Sequence, residues 1–357
     1  CIWISEVMLQ QTTVAAVVPY FTRFLAAFPT VRELAAADEQ QVLKLWEGLG
    51  YYRRARHLHA AAKLLAAEHP EQLPDDPAVW SELPGVGRYI LGAVLSQAFD
   101  RRFPIVEANS LRVLARLFGY RGDPRIGAGQ KWLWSAAESL LPVRRVGDFN
   151  QALMELGALV CTIASPGCAK CPLAAKCIAN RDGLQTAIPL KKASKEIAEV
   201  REVAIVIRAG GKILLGRRPA DASRWQNMWE VPHGEITVPT SPPNRDRQGA
   251  KAPSERSRTV AAPHLPAETL ALSENRNAAV RIARELIGLD VAIGDEIGTI
   301  RHGVTRFAIS MHCFEARRLR GRLRSSFYAE LRWVAIADLA NYPVSSPQRK
   351  LMTMLKA

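Results

Sequence analysis

Four cysteines, Cys161, Cys168, Cys171 and Cys177, fall within 17 residues of this 357-residue chain, in the spacing Cys-x6-Cys-x2-Cys-x5-Cys. Thiolates packed that closely in a short loop can hold one cubane iron–sulfur cluster or one zinc ion. Zinc sites more often use two separated Cys-x-x-Cys pairs, and here only 168–171 forms one. Pro166, Gly167 and Pro172 bend the chain so that the sulfurs can converge. The other two cysteines, Cys1 and Cys313, stand alone, which argues against a disulfide framework and for metal in a reducing cytoplasm.

The length suits two domains of ordinary size. No apolar run approaches the length needed to cross a bilayer, and no secretory or transit segment is evident, so a cytoplasmic protein with no membrane partner is expected. The chain opens at Cys1 in mid-pattern, and an N-terminal helix ahead of it is expected. The net charge of +14 points toward a polyanion. It is uneven: residues 1–190 hold 20 basic against 17 acidic residues, and residues 191–357 hold 28 against 17.

Residues 1–180 read as almost all helix. Apolar positions recur at helical spacing from Val14 through Leu25, and further helices are expected over Arg88–Phe99, Asn109–Phe118, Lys131–Leu141 and Asn150–Val160. The pattern changes after Pro189, where Lys191, Lys192 and Lys195 mark a linker placed at 181–200. Strand-like runs at Val203–Ile207 and Lys212–Leu215 flank Gly210-Gly211, a hairpin signal. With a further strand over Ile309–Phe314 and a helix over Asn277–Ile287, residues 201–357 form a second domain of the α+β class. Within it, 238–275 is rich in Pro, Ser, Arg and Ala and is expected to be a flexible insertion.

Leu83-Pro84-Gly85-Val86-Gly87 lies between two helical segments. Glycines there let a backbone approach closely, and the next helix opens with free N–H groups, which suits a phosphate. Taken alone, the same run is equally a tight turn.

Two further runs carry a resemblance to a known family. Ser5–Thr12 (SEVMLQQT) and Leu45–Arg56 (LWEGLGYYRRAR) resemble the adenine DNA glycosylases, the MutY family, and the cysteine spacing resembles their iron–sulfur loop. The resemblance runs nearly without gaps over residues 1–180 and more weakly to about 350. It implies a multidomain fold: an all-α helix-hairpin-helix glycosylase domain with an iron–sulfur loop, then an α+β Nudix-like domain. It further implies one 4Fe-4S cluster on Cys161, Cys168, Cys171 and Cys177. That cluster would support a DNA-contacting loop, with Lys170, Lys176 and Arg181 reaching phosphates.

By the same resemblance, Glu6 is the acid that protonates adenine and later activates water; endonuclease III relatives lack it. Cleaving an N-glycosidic bond also needs a group that stabilises positive charge on the sugar. The family segment there is Asp-Gly-Asn, whereas this chain has Glu107-Ala108-Asn109. Glu107 keeps the charge and adds a methylene; Asn109 could position a carboxylate or water. Bifunctional members carry a lysine two places after Gly87, where this chain has Tyr89, so base removal without strand cleavage is expected. Gln11, Thr12, Leu49 and Tyr51 match positions used around the oxidised guanine and the vacated stack, and Gly85 and Gly87 the phosphate hairpin.

In the second domain, Trp229–Glu235 (WEVPHGE) and Arg281–Leu289 (RIARELIGL) resemble a Nudix fold. Of its metal-binding glutamates only Glu285 remains, with Ile282 and Leu286 in two acidic places, so recognition without hydrolysis is expected. The family reads oxidised guanine with His-x-Phe-Ser-His; here His302–Arg306 (HGVTR) offers Thr305 and Arg306. The expected activity is excision of adenine opposite 8-oxoguanine or guanine in double-stranded DNA, by a monomer. Two alternatives stay open: a related mismatch glycosylase with another base preference, and a lesion-binding protein whose chemistry is impaired at 107–108.

Overall fold

The computed structural model describes residues 1–190, 196–236 and 267–356. The chain divides into two compact units, Cys1–Ser194 and Lys195–Ala357. No helix among the described residues is long and apolar enough to cross a membrane.

The first unit is helical throughout. Its elements are α1 (Ile2–Leu9), α2 (Val14–Ala27), α3 (Val31–Ala36), α4 (Glu39–Trp46), α5 (Arg53–Glu68) and α6 (Pro77–Glu82). There follow α7 (Arg88–Phe99), α8 (Ala108–Leu117), α9 (Gly127–Ser139), α10 (Val146–Leu159) and the single turn α11 (Ile178–Arg181). Starts are set by caps: Thr30 and Glu33 form a reciprocal box on α3, and Asp38 and Asp76 accept from the first turns of α4 and α6. The core holds Phe24, Trp46, Trp80 and Leu95, each fully buried. The linker expected at 181–200 is shorter than composition suggests. Ile188 is buried with Ala115 and Ala179, and its carbonyl accepts from Arg116 Nε at 2.9 Å, so the chain packs on this unit as far as Ile188. Lys191, Lys192 and Lys195 lie outside the described residues.

The second unit is a seven-stranded sheet with a helix on each face. Its strands are β1 (Ala198–Ala209), β2 (Lys212–Arg217), β3 (Trp229–Glu230), β4 (His233–Glu235), β5 (Leu289–Val304), β6 (Phe307–Gly321) and β7 (Glu330–Ala335). The order is β3-β2-β1-β6-β5, with β4 on β1 and β7 on β2; β1 and β6 run parallel. The Gly210-Gly211 hairpin forms as expected, with Arg208 opposite Ile213. Period-2 alternation divides β1 between two cores. Val203, Ile205 and Ile207 face α12 (Ala267–Ile287), and Ala204 and Val206 face α13 (Ser346–Met354). Ile282 sits in the first of these cores and Glu285 is exposed, so the apolar residues in the acidic places face inward.

The segment 238–275 needs correction at its end. Residues 238–266 lie outside the described residues, but from Ala267 the chain is helical, well before the Asn277 expected from periodicity. Ala267–Leu272 (AETLAL) are mostly good helix formers, and the Pro- and Ser-rich stretch that precedes them hid them.

Candidate functional site

Glu6 lies on α1, buried at 6% exposure, yet it is not a bare charge. Tyr89, in the first turn of α7, donates its hydroxyl to Glu6 Oε2 at 2.5 Å, and Gln97 Nε2 approaches Oε1 at 3.4 Å. Burial first, and the Glu6 carboxylate second, push the Tyr89 phenol well above its ordinary value; Glu107 adds to the effect. Tyr89 is therefore a neutral donor. The two carboxylates and the phenol thus face one locale, although Glu6 and Glu107 stand a hundred residues apart in sequence.

Glu107 arrives there because the chain before it crosses α7 at Gly92. A Cβ on Gly92 would stand 2.2 Å from the carbonyl oxygen of Pro104, so only glycine allows the crossing. Asn150 pins the same stretch: its Nδ2 donates to Ser96 Oγ at 3.0 Å and to Phe103 O at 2.9 Å, and its Oδ1 accepts from Ile105 N at 3.3 Å. Glu107 is then the N-cap of α8. Its Oε2 accepts from Asn109 N and its Oε1 from Ser110 N, both at 2.8 Å, while Ser110 Oγ accepts from Glu107 N at 2.9 Å. The extra methylene is taken up by this reciprocal cap. The contact of Asn109 with this carboxylate is made by its backbone N–H. Its side-chain oxygen accepts from Arg112 Nη2 at 2.9 Å instead.

The hairpin between α6 and α7 closes through Val86 N donating to Leu83 O at 3.1 Å. Gly85 has φ +78, and a Cβ there would meet His57 at 2.7 Å, so both its conformation and its space require glycine. Gly87 caps α7, and a Cβ on it would meet nothing within 4 Å. No protein contact calls for that glycine; it leaves the mouth of the α7 N–H groups open.

Arg54 is a knot that sequence reading missed. Its Nη1 donates to Val7 O at 2.9 Å, to Met8 O at 2.8 Å and to Gln10 O, and its Nη2 to Gly50 O at 3.2 Å and Thr12 Oγ1 at 3.3 Å. It ties the end of α1 to the Gly48–Tyr51 turn, joining the two motifs, and burial lowers its pKa to about 10. Beside it, Gln11 and Tyr51 take positive φ, 58° and 49°, and both are exposed, Tyr51 at 51%. Non-glycine residues held there are sparse and cluster at functional sites. Leu49, expected among the DNA-contacting residues, is buried at 7% exposure, and Tyr52 is also buried, its hydroxyl accepting from Gly48 N.

All four loop cysteines, with Arg116 and Gly167, line one small cavity of about 30 Å³. A zinc ion needs every sulfur about 2.3 Å from one centre. Among the described residues no group of three or more His, Cys, Asp or Glu side chains is arranged to hold a metal ion as it stands. Four soft sulfur donors around one space are the donor set of a polynuclear iron–sulfur cluster or of a zinc ion. Two buried arginines one turn apart on α8 hold the start of this loop. Arg112 donates to Cys161 O at 2.6 Å and to Gly157 O at 2.6 Å, and Arg116 to Thr162 O at 2.7 Å and to Cys161 Sγ at 3.2 Å. Charged residues at i and i+4 inside the apolar run of α8 were the signal available in sequence. Arg181 is held by Asp182 at 2.8 Å, while Lys170 and Lys176 occupy the last turns of the short helices of the loop.

In the second unit, β5 and β6 join through the tight Thr305–Arg306 turn, with Val304 opposite Phe307. Thr305 has φ 54°, unusual for a β-branched residue, and its hydroxyl donates to Val304 O at 2.7 Å. The Arg306 guanidinium lies 5.2 Å from the centre of the Phe307 ring.

Residues 4–135 match the HhH-GPD superfamily of base excision DNA repair proteins, and residues 202–354 match the NUDIX domain. The adenine DNA glycosylase of Buchnera aphidicola subsp. Schizaphis graminum is 37% identical over 239 residues, 67% of this chain and 69% of that protein. The human adenine DNA glycosylase is 43% identical over 181 residues, 50% of this chain and 33% of that protein. A solved structure of a thermostable thymine-DNA glycosylase is 29% identical, covering 51% of this chain and 83% of its own, with a TM-score of 0.47.

Proposed function

The chain belongs to the adenine DNA glycosylase family, and from that premise we propose that it excises adenine paired with 8-oxoguanine, or with guanine, in double-stranded DNA. The observation that carries the reading is the Glu6–Tyr89 contact: a buried carboxylate held by a neutral phenol where a strand-cleaving enzyme would present an amine. Glu6 gives a proton to N7 of the flipped adenine. The bond from N9 to the sugar breaks with its electron pair leaving on the base, and the sugar carries the positive charge. Glu107 faces that charge. Water then adds to the sugar carbon and returns its proton to Glu6. Tyr89 has no amine to form a Schiff base, so the strand is left uncut.

The open mouth of α7 at Gly85 and Gly87 holds a backbone phosphate. Gln11, Thr12, Tyr51 and Leu49 meet the widowed guanine and the vacated stack, which for buried Leu49 requires the Gly48–Tyr51 turn to shift on binding. Thr305 and Arg306 read the oxidised base. Cys161, Cys168, Cys171 and Cys177 would hold one 4Fe-4S cluster. That cluster supplies a rigid frame for the loop bearing Lys170 and Lys176, and no step of the hydrolysis passes through it. Cytoplasmic work as a monomer completes the reading.

The test is alkali-revealed cleavage of a duplex holding A opposite 8-oxoguanine. Tight binding with no base release overturns the catalytic reading. One observation favours a second one, a lesion-binding protein with impaired chemistry: both oxygens of Glu107 are already used to cap α8. A large gain in rate on Glu107→Asp would support it.

A further inference from the structure

We propose that the end of the second unit remote from the Thr305–Arg306 turn is a lesion-independent contact surface for the phosphate backbone of duplex DNA. Arg317, Arg318, Arg320, Arg322 and Arg324 lie within eight residues that include no acid, and all five are exposed. They occupy the end of β6 and the segment that follows it. Arg284 joins them from the last turn of α12: it and Arg320 both bind Asp290 at 2.7 Å, one on each carboxylate oxygen. That carboxylate is held below its ordinary range by the two arginines. Arg317, Arg322 and Arg324 meet no carboxylate within ion-pair distance among the described residues. Arg324 is fixed in place by its N–H donating to Ile287 O at 3.1 Å. Three elements supply these arginines, and of those named only Arg284 and Arg320 are paired with a carboxylate.

The class of partner follows from what the surface has and lacks. Guanidinium forks suit phosphate oxygens, which they can bind in pairs. No aromatic ring stands within 317–324, so nothing offers bases a stacking platform and a single strand is not favoured. Of the two leucines in this run Leu323 packs against the core and Leu319 is 59% exposed, which is too little for the central apolar anchor of a protein interface. From Arg306 to Arg317 the strand advances about 35 Å at roughly 3.3 Å per residue. A contact there is blind to the base read at the turn. It adds affinity for any duplex, the property a protein searching for rare lesions uses while sliding.

The inference takes its choice of DNA over other polyanions from the reading above, and its test separates the two. Full-length protein and its Arg317→Gln/Arg322→Gln/Arg324→Gln variant are titrated onto a long undamaged duplex across a salt series. The variant should lose about tenfold or more in affinity, and the salt slope should fall by about 2 to 3 for three lost phosphate contacts. Its single-turnover excision rate at saturating protein should not change. A duplex too short to extend about 35 Å beyond the lesion should not register the substitutions. An unchanged salt slope overturns the proposal and points to an acidic protein in place of DNA, and a loss confined to lesion-bearing duplex overturns its lesion-independence. If the wild type releases no adenine while the variant still loses undamaged DNA, the activity reading falls and this surface stands.

Discussion

Replacing Glu107 by glutamine separates two roles that the structure superimposes on one carboxylate. The first is structural: two N–H groups of α8 donate to it at 2.8 Å. Glutamine offers one acceptor oxygen and turns an amide toward the other N–H. The loss of one charge-assisted bond and of the helix-dipole attraction should cost about 1–2 kcal/mol. The second role is electrostatic. A carboxylate about 5 Å from a sugar cation, at an effective dielectric near 20, contributes about 3 kcal/mol, or roughly 200-fold in rate. Glu107→Asp keeps the charge and a favoured capping residue, so its rate should change by less than about tenfold. Denaturant melts of the full chain measure the first effect, and single-turnover excision on the A:8-oxoguanine duplex measures the second. Glu107→Gln losing stability while keeping its rate would refute the electrostatic assignment and leave Glu107 as a cap alone.

Other outcomes test other links. Glu6→Gln should lower base release by about 10³-fold or more while lesion-duplex affinity holds, read by alkali cleavage and by fluorescence anisotropy. Tyr89 and Tyr328 are both pushed above the ordinary tyrosine value, chiefly by burial. The unfolded chain releases those protons near pH 10 while the folded one keeps them, so stability is full below that pH and falls progressively as pH rises above it toward the raised folded values. Tyr328→Phe should flatten the fall in stability above about pH 10 in alkaline melts. Thr305→Gly should raise the stability of the protein by about 1 kcal/mol by relieving the positive φ, and reduce discrimination of 8-oxoguanine from guanine in paired excision assays. Cys171→Ala should remove visible iron–sulfur absorbance from purified protein and weaken duplex binding together.

The order of elements was largely legible in the sequence because it rests on local rules. Periodicity gave α7 its bounds, Arg88–Phe99, and the glycine pair gave the β1–β2 hairpin. Composition is a weaker guide than periodicity, as the start of α12 and the linker show. Ile188 alone, an isolated apolar residue beside a proline, does not announce that it is buried.

The site was legible as residue types and not as contacts. Glu6, Tyr89, Glu107 and the four cysteines are marked by motif and spacing. That Tyr89 donates to Glu6, that Gly92 lets the Pro104 carbonyl lie on α7, and that Glu107 spends both oxygens on α8 depend on packing between elements far apart in sequence. Arg54, Arg112 and Arg116 are the clearest cases: in sequence each is one more basic residue, and only burial turns its donors toward the backbone carbonyls of another segment. The cysteine spacing by itself determined that four soft ligands meet in one loop. Only the tertiary structure decided how that loop is held, because Arg112 and Arg116 are buried on α8 and their donors turn to the carbonyls of Cys161 and Thr162 and to Cys161 Sγ.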